Sequence, residues 1–446
     1  MHQSPDERRH RMGQSAAFRR PVVMVVPDGA GDRPHASLDG LTPIEAADTP
    51  NLDALASLGR SGLLYPVGPG LAPSSHQAHF ALFGYTQAEF PGRGLLEALG
   101  EGVPPAADEI VLRANLARVS ERDGLLWIDE RPDPRTGDAG LGEVSLDAEL
   151  GGVAARFVHT GALQGLLFLR ATDGRTLSRF VSDADPLHAG APVLECLPLE
   201  EAPDAEAAAR TARAVNAWIR HSRTVLAGRP LDGMLAKWAG APTHFTPFTA
   251  RFGMRGVSLG SGPLYAGLAA AIGLGHREFG TASDAEADVA VRVDATLELL
   301  AEGYEFVHLH TKRTDMAGHK KDPARKAEIV AAVDRGLAAL VPLAESGKIV
   351  VVVCPDHQTP SAGPLYHGGG AVPLLIAGGV AGADGVTAYG ETACAAGSLG
   401  VLRGTDVLPL ALDAADRSAF LADRITGHVA LGVPRPEDLR GLRAEE

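Results

Sequence analysis

The sequence predicts an α/β protein: a doubly wound sheet flanked by helices, interrupted by an inserted smaller α+β domain. Three observations predict it. Short β-branched runs such as "PVVMVVPDGAGD" and "KIVVVVCPDH" are too continuously apolar for half-exposed strands and read as buried parallel ones. Segments between such runs, "DPARKAEIVAAVDRGLAALVPLAES" among them, carry apolar residues at helical spacing, and strand, loop, helix and strand in succession wind a sheet on both faces. The chain also changes character between about 113 and 228, where acidic, turn-rich stretches such as "ERPDPRTGDAGLGEVS" replace the buried runs.

Taken in order, residues 1–20 are Arg-rich without an apolar core and read as a flexible tail rather than a secretory signal. Residues 21–112 and 229–446 form one domain, opening on the strand at "VVMVV" and continuing through "EFVHLHTKRTD", "KIVVVVCPDH" and "AVPLLIAGG". Residues 113–228 form the insertion, with short strands at "RFVHT" and "GLLFLRA" and a helix at "DAEAAARTARAVNAWIRHSRTVL". The last segment, "HVALGVPRPEDLRGLRAEE", belongs at the surface.

The 446 residues can bury a sizeable core, and 45% apolar with 22% charged residues is a globular composition. A formal charge of −14 argues against nucleic acid and against an anionic membrane as partners, both of which require positive patches. An anionic substrate would have to be drawn in by metals or local arginines. Cys196, Cys354 and Cys394 are widely separated and form neither a CxxC pair nor an even framework, so a reducing cytoplasm is the expected compartment. No window reaches the roughly 18 uncharged apolar residues of a membrane span.

In open α/β sheets function gathers in the loops after the carboxyl ends of strands. Three predicted strands lead there into carboxylates, Asp28, Asp315 and Asp356. Asp315 and His319 are four apart, on one side of a helical turn; His357 adjoins Asp356; His367 sits before glycines that let the backbone approach closely. Singly, each has a plain reading as a cap or a solvated side chain. Jointly, a mixed Asp/His set favours manganese, zinc or iron over calcium, and two such ions about 3.5–4 Å apart form a clamp for phosphoryl transfer. In "LAPSSHQAHFALFGY" the two serines either cap a helix or, in the case of Ser75, supply a metal-activated nucleophile next to free helix amides.

These residues assemble into a known pattern. The chain resembles the cofactor-independent phosphoglycerate mutases, in particular the archaeal-type branch of the alkaline phosphatase superfamily, through "VVPDGAGDRP", "TPIEAADTPNLDALASLGRSG", "SSHQAHFALFGY", "PGRGLLEALGEGV", "VSDADP", "RTDMAGHKKD", "PDHQTP" and "YHGGGAVPLLIAG". The match runs in the family's order over most of residues 21–380. The resemblance implies an alkaline-phosphatase-like sheet with the insertion as a lid. It implies two divalent ions, Mn²⁺ first and Zn²⁺ as the alternative, one held by Asp28, Ser75, Asp356 and His357, the other by Asp315, His319 and His367. Ser75 would carry a phosphoserine while 3-phosphoglycerate and 2-phosphoglycerate interconvert. Arg93 matches a substrate-binding arginine, Lys312 a lysine near the metals, and Lys237 stands where an arginine is expected, keeping the charge but not the bidentate fork.

The insertion departs from that pattern. Arg131 and Arg135 are spaced differently from the family's arginine pair, Leu163 and Gln164 replace a His-Arg pair, and His76 replaces an acidic residue. A small dianionic acid in a closed cavity needs its cationic partners, and removing one partner of a buried charge-assisted contact costs about 2–5 kcal/mol. Either Arg156 or Arg170 takes over, or the substrate differs. Two further readings therefore stand beside the mutase: a phosphomutase, phosphatase, phosphodiesterase or phosphotransferase on another small phosphate or phosphonate metabolite, and a catalytically silent metal-binding protein. The chain is expected to be a monomer or a small homo-oligomer.

Overall fold

The computed structural model describes residues 20–142, 144–280, 282, 284–418 and 441–444. The tail expected over 1–20 and the terminal segment from 428 therefore lie outside the described residues, apart from Arg20 and 441–444. The chain divides into two compact units, one built from the chain up to Phe90, from Phe245–Tyr265 and from Ile272 onward, the other from Pro91–His244 and Ala266–Ala271. Strands β1 (Val22–Pro27) and β2 (Gly59–Tyr65) belong to the first unit. Strands β3 (Ile110–Arg122), β4 (Leu125–Glu130), β5 (Ala148–Glu149), β6 (Val153–Gly161), β7 (Gln164–Ala171) and β8 (Gly233–Gly240) belong to the second. Strands β9 (Gly256–Gly260), β10 (Gly275–Glu278), β11 (Phe306–Thr311), β12 (Val350–Val353), β13 (Val372–Gly378) and β14 (Gly400–Arg403) return to the first.

In the first unit the order across the sheet is β10-β9-β11-β1-β12-β13-β2-β14. β1 lies at the centre with parallel neighbours on both sides, Pro27 level with Thr311 and Val25 with Val353. All residues of β1, β11 and β12 are buried, which explains why their sequences read as unbroken apolar runs. On one face Val23, Val25, Leu309, Val351 and Val353 pack with Val289, Val293, Ile329 and Val333 from the covering helices. Each such side chain contributes on the order of 1.5–3 kcal/mol by leaving water. The register brings the carboxyl ends of three adjacent strands to one edge, where the loops bearing the candidate carboxylates begin.

The sheet is mixed rather than parallel throughout. "AVPLLIAGG" does form a buried strand, but β13 runs antiparallel to both β12 and β2. The segment joining β12 to β13 contains no helix, whereas parallel crossovers usually carry one. The helical run after Asp322 is also shorter than its pattern suggests: it divides into Pro323–Gly336, a 3₁₀ turn Ala338–Leu340 and Val341–Glu345. Gly336 marks the first break, lying so close to Val289 that a Cβ there would sit 2.7 Å from the valine Cβ.

The second unit is a sheet in the order β4-β3-β7-β6-β5, with β8 also paired to β3. The strands anticipated at "RFVHT" and "GLLFLRA" are β6 and β7, paired antiparallel, and the anticipated helix runs from Ala205 to Val225, capped by Asp204 accepting from the Ala207 N–H. The edges placed at 113 and 228 require correction. Position 113 falls inside β3, and β8, beyond 228, pairs with β3 through Ala114 and Ala236. A central strand needs backbone partners along its length, so β8 cannot be separated from it. The helix Arg93–Gly100 joins them: Gly92 and Gly94 come so close to Ala239 and Val111 that a Cβ on either would meet a carbonyl oxygen at 2.1 or 2.2 Å.

Candidate metal centre

Asp28 follows β1 directly and is fully buried. Its Oδ2 accepts from Tyr265 Oη at 2.8 Å and lies 3.0 Å from His310 Nε2, whereas Oδ1 has no hydrogen-bond partner. Asp356, three residues beyond β12, repeats the arrangement: Oδ1 accepts from the Gly29 N–H at 2.8 Å, and Oδ2 makes no hydrogen bond, with His79 Nδ1 3.4 Å away. His357 Nε2 lies 3.5 Å from the first of these unpartnered oxygens and 3.3 Å from the second. Gly29 makes the approach feasible, since its φ is +63° and a Cβ there would sit 2.3 Å from Thr359 Oγ1 and 2.9 Å from Asp315 Oδ1.

After β11 the chain enters the helix Arg313–His319, which presents Asp315 and His319 on one side with His319 Nε2 3.1 Å from Asp315 Oδ1. His367 donates from Nδ1 to the Pro73 carbonyl at 2.8 Å, which turns Nε2 toward Asp315 Oδ1, 3.8 Å away. Among the described residues two sets of side chains could each hold an ion, Asp315 with His319 and His367, and Asp28 with Asp315 and His357. Asp315 thus stands in both. The second set differs from the expected grouping, in which Asp315 served one ion only.

Thr359 ties the sets together. Its hydroxyl donates to Asp315 Oδ1 at 2.7 Å and lies 3.2 Å from His357 Nδ1, so His357 carries its proton on Nδ1 and offers the Nε2 lone pair to the site. Ser75 Oγ stands 3.2 Å from that Nε2. Ser75 is the first residue of the helix Ser75–Leu82, with Ser74 at the N-cap, and is only 7% exposed. Lys312 Nζ is 3.7 Å from Asp28 Oδ2 and from Asp315 Oδ2.

Burial works against the charge on Asp28, but Lys312, His310 and His357 together hold its carboxyl well below the usual range. Burial and the nearby Asp28 likewise oppose ionisation of Asp315 and Asp356, and His319 with Lys312 in the one case, His357 with His79 in the other, outweigh them. Burial, with His357 alongside, brings His367 down to about 4. Ionised carboxylates beside a neutral imidazole are the protonation states that metal ligation requires. Unpartnered buried oxygens on Asp28 and Asp356 are costly unless a cation receives them, so the residues present fit divalent ions.

The sequence matches the Metalloenzyme superfamily over residues 20–414. It is 31% identical to a 2,3-bisphosphoglycerate-independent phosphoglycerate mutase 2 from Methanocaldococcus jannaschii, over 94% of this chain and 98% of the relative. A 2,3-bisphosphoglycerate-independent phosphoglycerate mutase from Methanoculleus marisnigri is 35% identical over 89% of this chain and 98% of its own. The chain belongs to the 2,3-bisphosphoglycerate-independent phosphoglycerate mutase family. The solved PH0037 protein of Pyrococcus horikoshii superimposes with a TM-score of 0.72 at 26% identity, covering 91% of this chain and all of that one. A cofactor-independent phosphoglycerate mutase from Thermoplasma acidophilum shares the fold, with a TM-score of 0.60 at 24% identity over 89% of this chain and 100% of its own.

For this member of the phosphoglycerate mutase family, Asp28, Ser75, Asp315, His319, Asp356, His357, His367 and Lys312 all lie in the first unit, whereas Arg93 and Lys237 belong to the second. There Arg93 donates to Glu97 at 2.8 Å and its guanidinium lies 3.6 Å from the Trp238 ring centre. Lys237, 2% exposed, donates to Asp185 at 2.7 Å, and Arg131 grips the same carboxylate with two hydrogen bonds. Arg135 pairs with Asp133, Arg156 with Glu109 and Arg170 with Asp108, Leu163 is buried, and Gln164 bonds Arg113. Thr359, Tyr265 and His310 escaped the sequence reading. "FVHLHT" held the signal for His310, because strand alternation sends it and His308 to one face. Among the described residues no helix is long and apolar enough to cross a membrane.

Proposed function

We propose that this chain interconverts 3-phosphoglycerate and 2-phosphoglycerate, with Ser75 as the residue that carries the phosphoryl group between them. The observation that carries the reading is Ser75 Oγ at 3.2 Å from His357 Nε2, beside the unpartnered oxygens of Asp28 and Asp356. Asp28, Ser75, Asp356 and His357 would hold one divalent cation, and Asp315, His319 and His367 the other, with Asp315 near enough to Asp28 and His357 to serve both. We assign Mn²⁺, with Zn²⁺ as the alternative, on the mixed carboxylate and imidazole donors. When bound, such cations neutralise phosphoryl oxygens and favour the ionised serine hydroxyl.

The chain's own groups account for the remaining chemistry. Ser75 Oγ attacks phosphorus in line, a bond to Ser75 forms as the bond to the glycerate oxygen breaks, and that oxygen takes up a proton. The glycerate's other hydroxyl then attacks the phosphoserine, loses its proton and frees Ser75. Backbone amides at the start of the Ser75–Leu82 helix favour negative charge on the transferred group. The side chain of Lys312 is 38% exposed and places a cation next to two carboxylates, where a phosphoryl oxygen can pair with it. Arg93 is proposed as a substrate-binding group, and Lys237, with Lys312, as a catalytic cation.

Supplying Mn²⁺-loaded protein with 3-phosphoglycerate and coupling the product to enolase tests the reading. Phosphoenolpyruvate should accumulate; its absence at confirmed metal occupancy removes the mutase assignment, and release of inorganic phosphate in its place would make the chain a hydrolase.

A further inference from the structure

Against Asp28 lies a buried pair that the ligand set does not use. Tyr265 and His310 are 2% and 1% exposed, and their rings lie 3.9 Å apart at 34°. Both address the same carboxylate oxygen, Asp28 Oδ2, Tyr265 Oη donating at 2.8 Å and His310 Nε2 lying 3.0 Å away. His310 Nδ1 has no partner, as befits a neutral ring whose one proton sits on Nε2 and donates to Asp28. A carboxylate oxygen has two lone-pair directions, and these two donors take both. Asp28 Oδ1 is left without any, facing His357 Nε2 at 3.5 Å.

We infer that Tyr265 and His310 are positioning residues that hold Asp28 to a single metal-facing oxygen, Oδ1. Neither belongs to the candidate ligand sets, and both act through Asp28. Their effect is to deny Oδ2 to the cation, so that Asp28 binds through one atom in one orientation instead of rotating or chelating through two. The carboxylate is thereby ordered before any ion arrives, and the energy of ligation is not diminished by ordering it. Groups that orient a ligand from behind commonly alter metal affinity about 10- to 100-fold.

The inference rests on Asp28 being a ligand, and the test separates the two. Calorimetric titration of Mn²⁺ into the metal-free full chain is compared for wild type, Asp28→Asn, Tyr265→Phe, His310→Phe and His310→Asn, with thermal melting of each metal-free protein to certify folding. Tyr265→Phe and His310→Phe are expected to weaken one binding event about 10- to 100-fold and leave the other within about twofold, while His310→Asn, which keeps an N–H donor, recovers part of the loss. Affinities matching wild type in the two phenylalanine variants, or equal weakening of both events, overturn the inference. Two intact events in Asp28→Asn overturn the ligand assignment and the inference with it. If one phenylalanine variant fails to fold, the other carries the comparison alone.

Discussion

Ser75 Oγ and His357 Nε2, 282 positions apart in the chain, lie 3.2 Å from each other in the fold. The serine hydroxyl can donate to the imidazole lone pair, and the same two atoms are placed to share a cation. Replacing Ser75 by Ala should therefore lower mutase turnover at least about a thousandfold. Folding and the ion at Asp315, His319 and His367 should be retained. A coupled assay and mass spectrometry for phosphoserine give the answer, and residual turnover near wild type would exclude Ser75 as the carrier.

Asp315 belongs to both candidate sets, so Asp315→Asn should weaken both Mn²⁺ binding events, whereas His367→Ala should weaken one. Titration calorimetry distinguishes them. A single weakened event in Asp315→Asn would return the residue to one ion only.

Thr359 stands between Asp315 and His357, donating to one and accepting from the other. Thr359→Val keeps the shape and removes both hydrogen bonds, and a loss of about 10- to 100-fold in Mn²⁺ affinity is expected, restored by Thr359→Ser. Equal affinity in the valine variant would mean that His357 is oriented by something else.

Gly29→Ala should destabilise the first unit by about 2–4 kcal/mol, because the backbone is held at positive φ and the new methyl would lie 2.3 Å from Thr359 Oγ1. Urea unfolding gives the difference. A midpoint unchanged from wild type would show that the loop yields easily.

Glu391 provides a pH dependence away from the candidate ligands. Burial raises its carboxyl from 4.5 to about 7, although Thr42 Oγ1 and the Asp32 N–H both donate to it. Between those values the folded chain keeps a proton that the unfolded chain has released, so stability falls as pH rises through the window. The loss amounts to about 3 kcal/mol at most. Glu391→Gln should flatten this slope, seen as urea midpoints that differ less between about pH 5 and about pH 8 than in wild type. An unchanged slope would assign the pH dependence to other groups.

What could be read from the sequence follows from what is local. An apolar run that stops on Asp28 or on Asp356 and His357 announces a buried strand and its loop, because both properties are carried by consecutive residues. The four-residue step from Asp315 to His319 likewise announces a shared helical side. The double membership of Asp315 depends on where a third loop, at His357, comes to rest, and no spacing encodes that. Tyr265 and His310 behind Asp28 were hidden for the same reason, since a tyrosine in an apolar helix reads as core until its hydroxyl is seen to have an acceptor. The inserted unit extends beyond 113–228 because β3 and β8 satisfy each other's backbone across more than a hundred residues, a pairing that no local signal encodes.

The hydrogen bond from Gly29 to Asp356 spans 327 positions. At about 5–20 residues per second, roughly 15–65 s separate the synthesis of its two ends. During that interval a growing polypeptide owns Asp28 and Ser75 but neither Asp356 nor His357, so it has half a cage and little hold on an ion. Metal uptake is consequently a late event in synthesis. A fragment released early would be inert, and any activity recovered from a cell extract would report only chains that had been made to the end of the site.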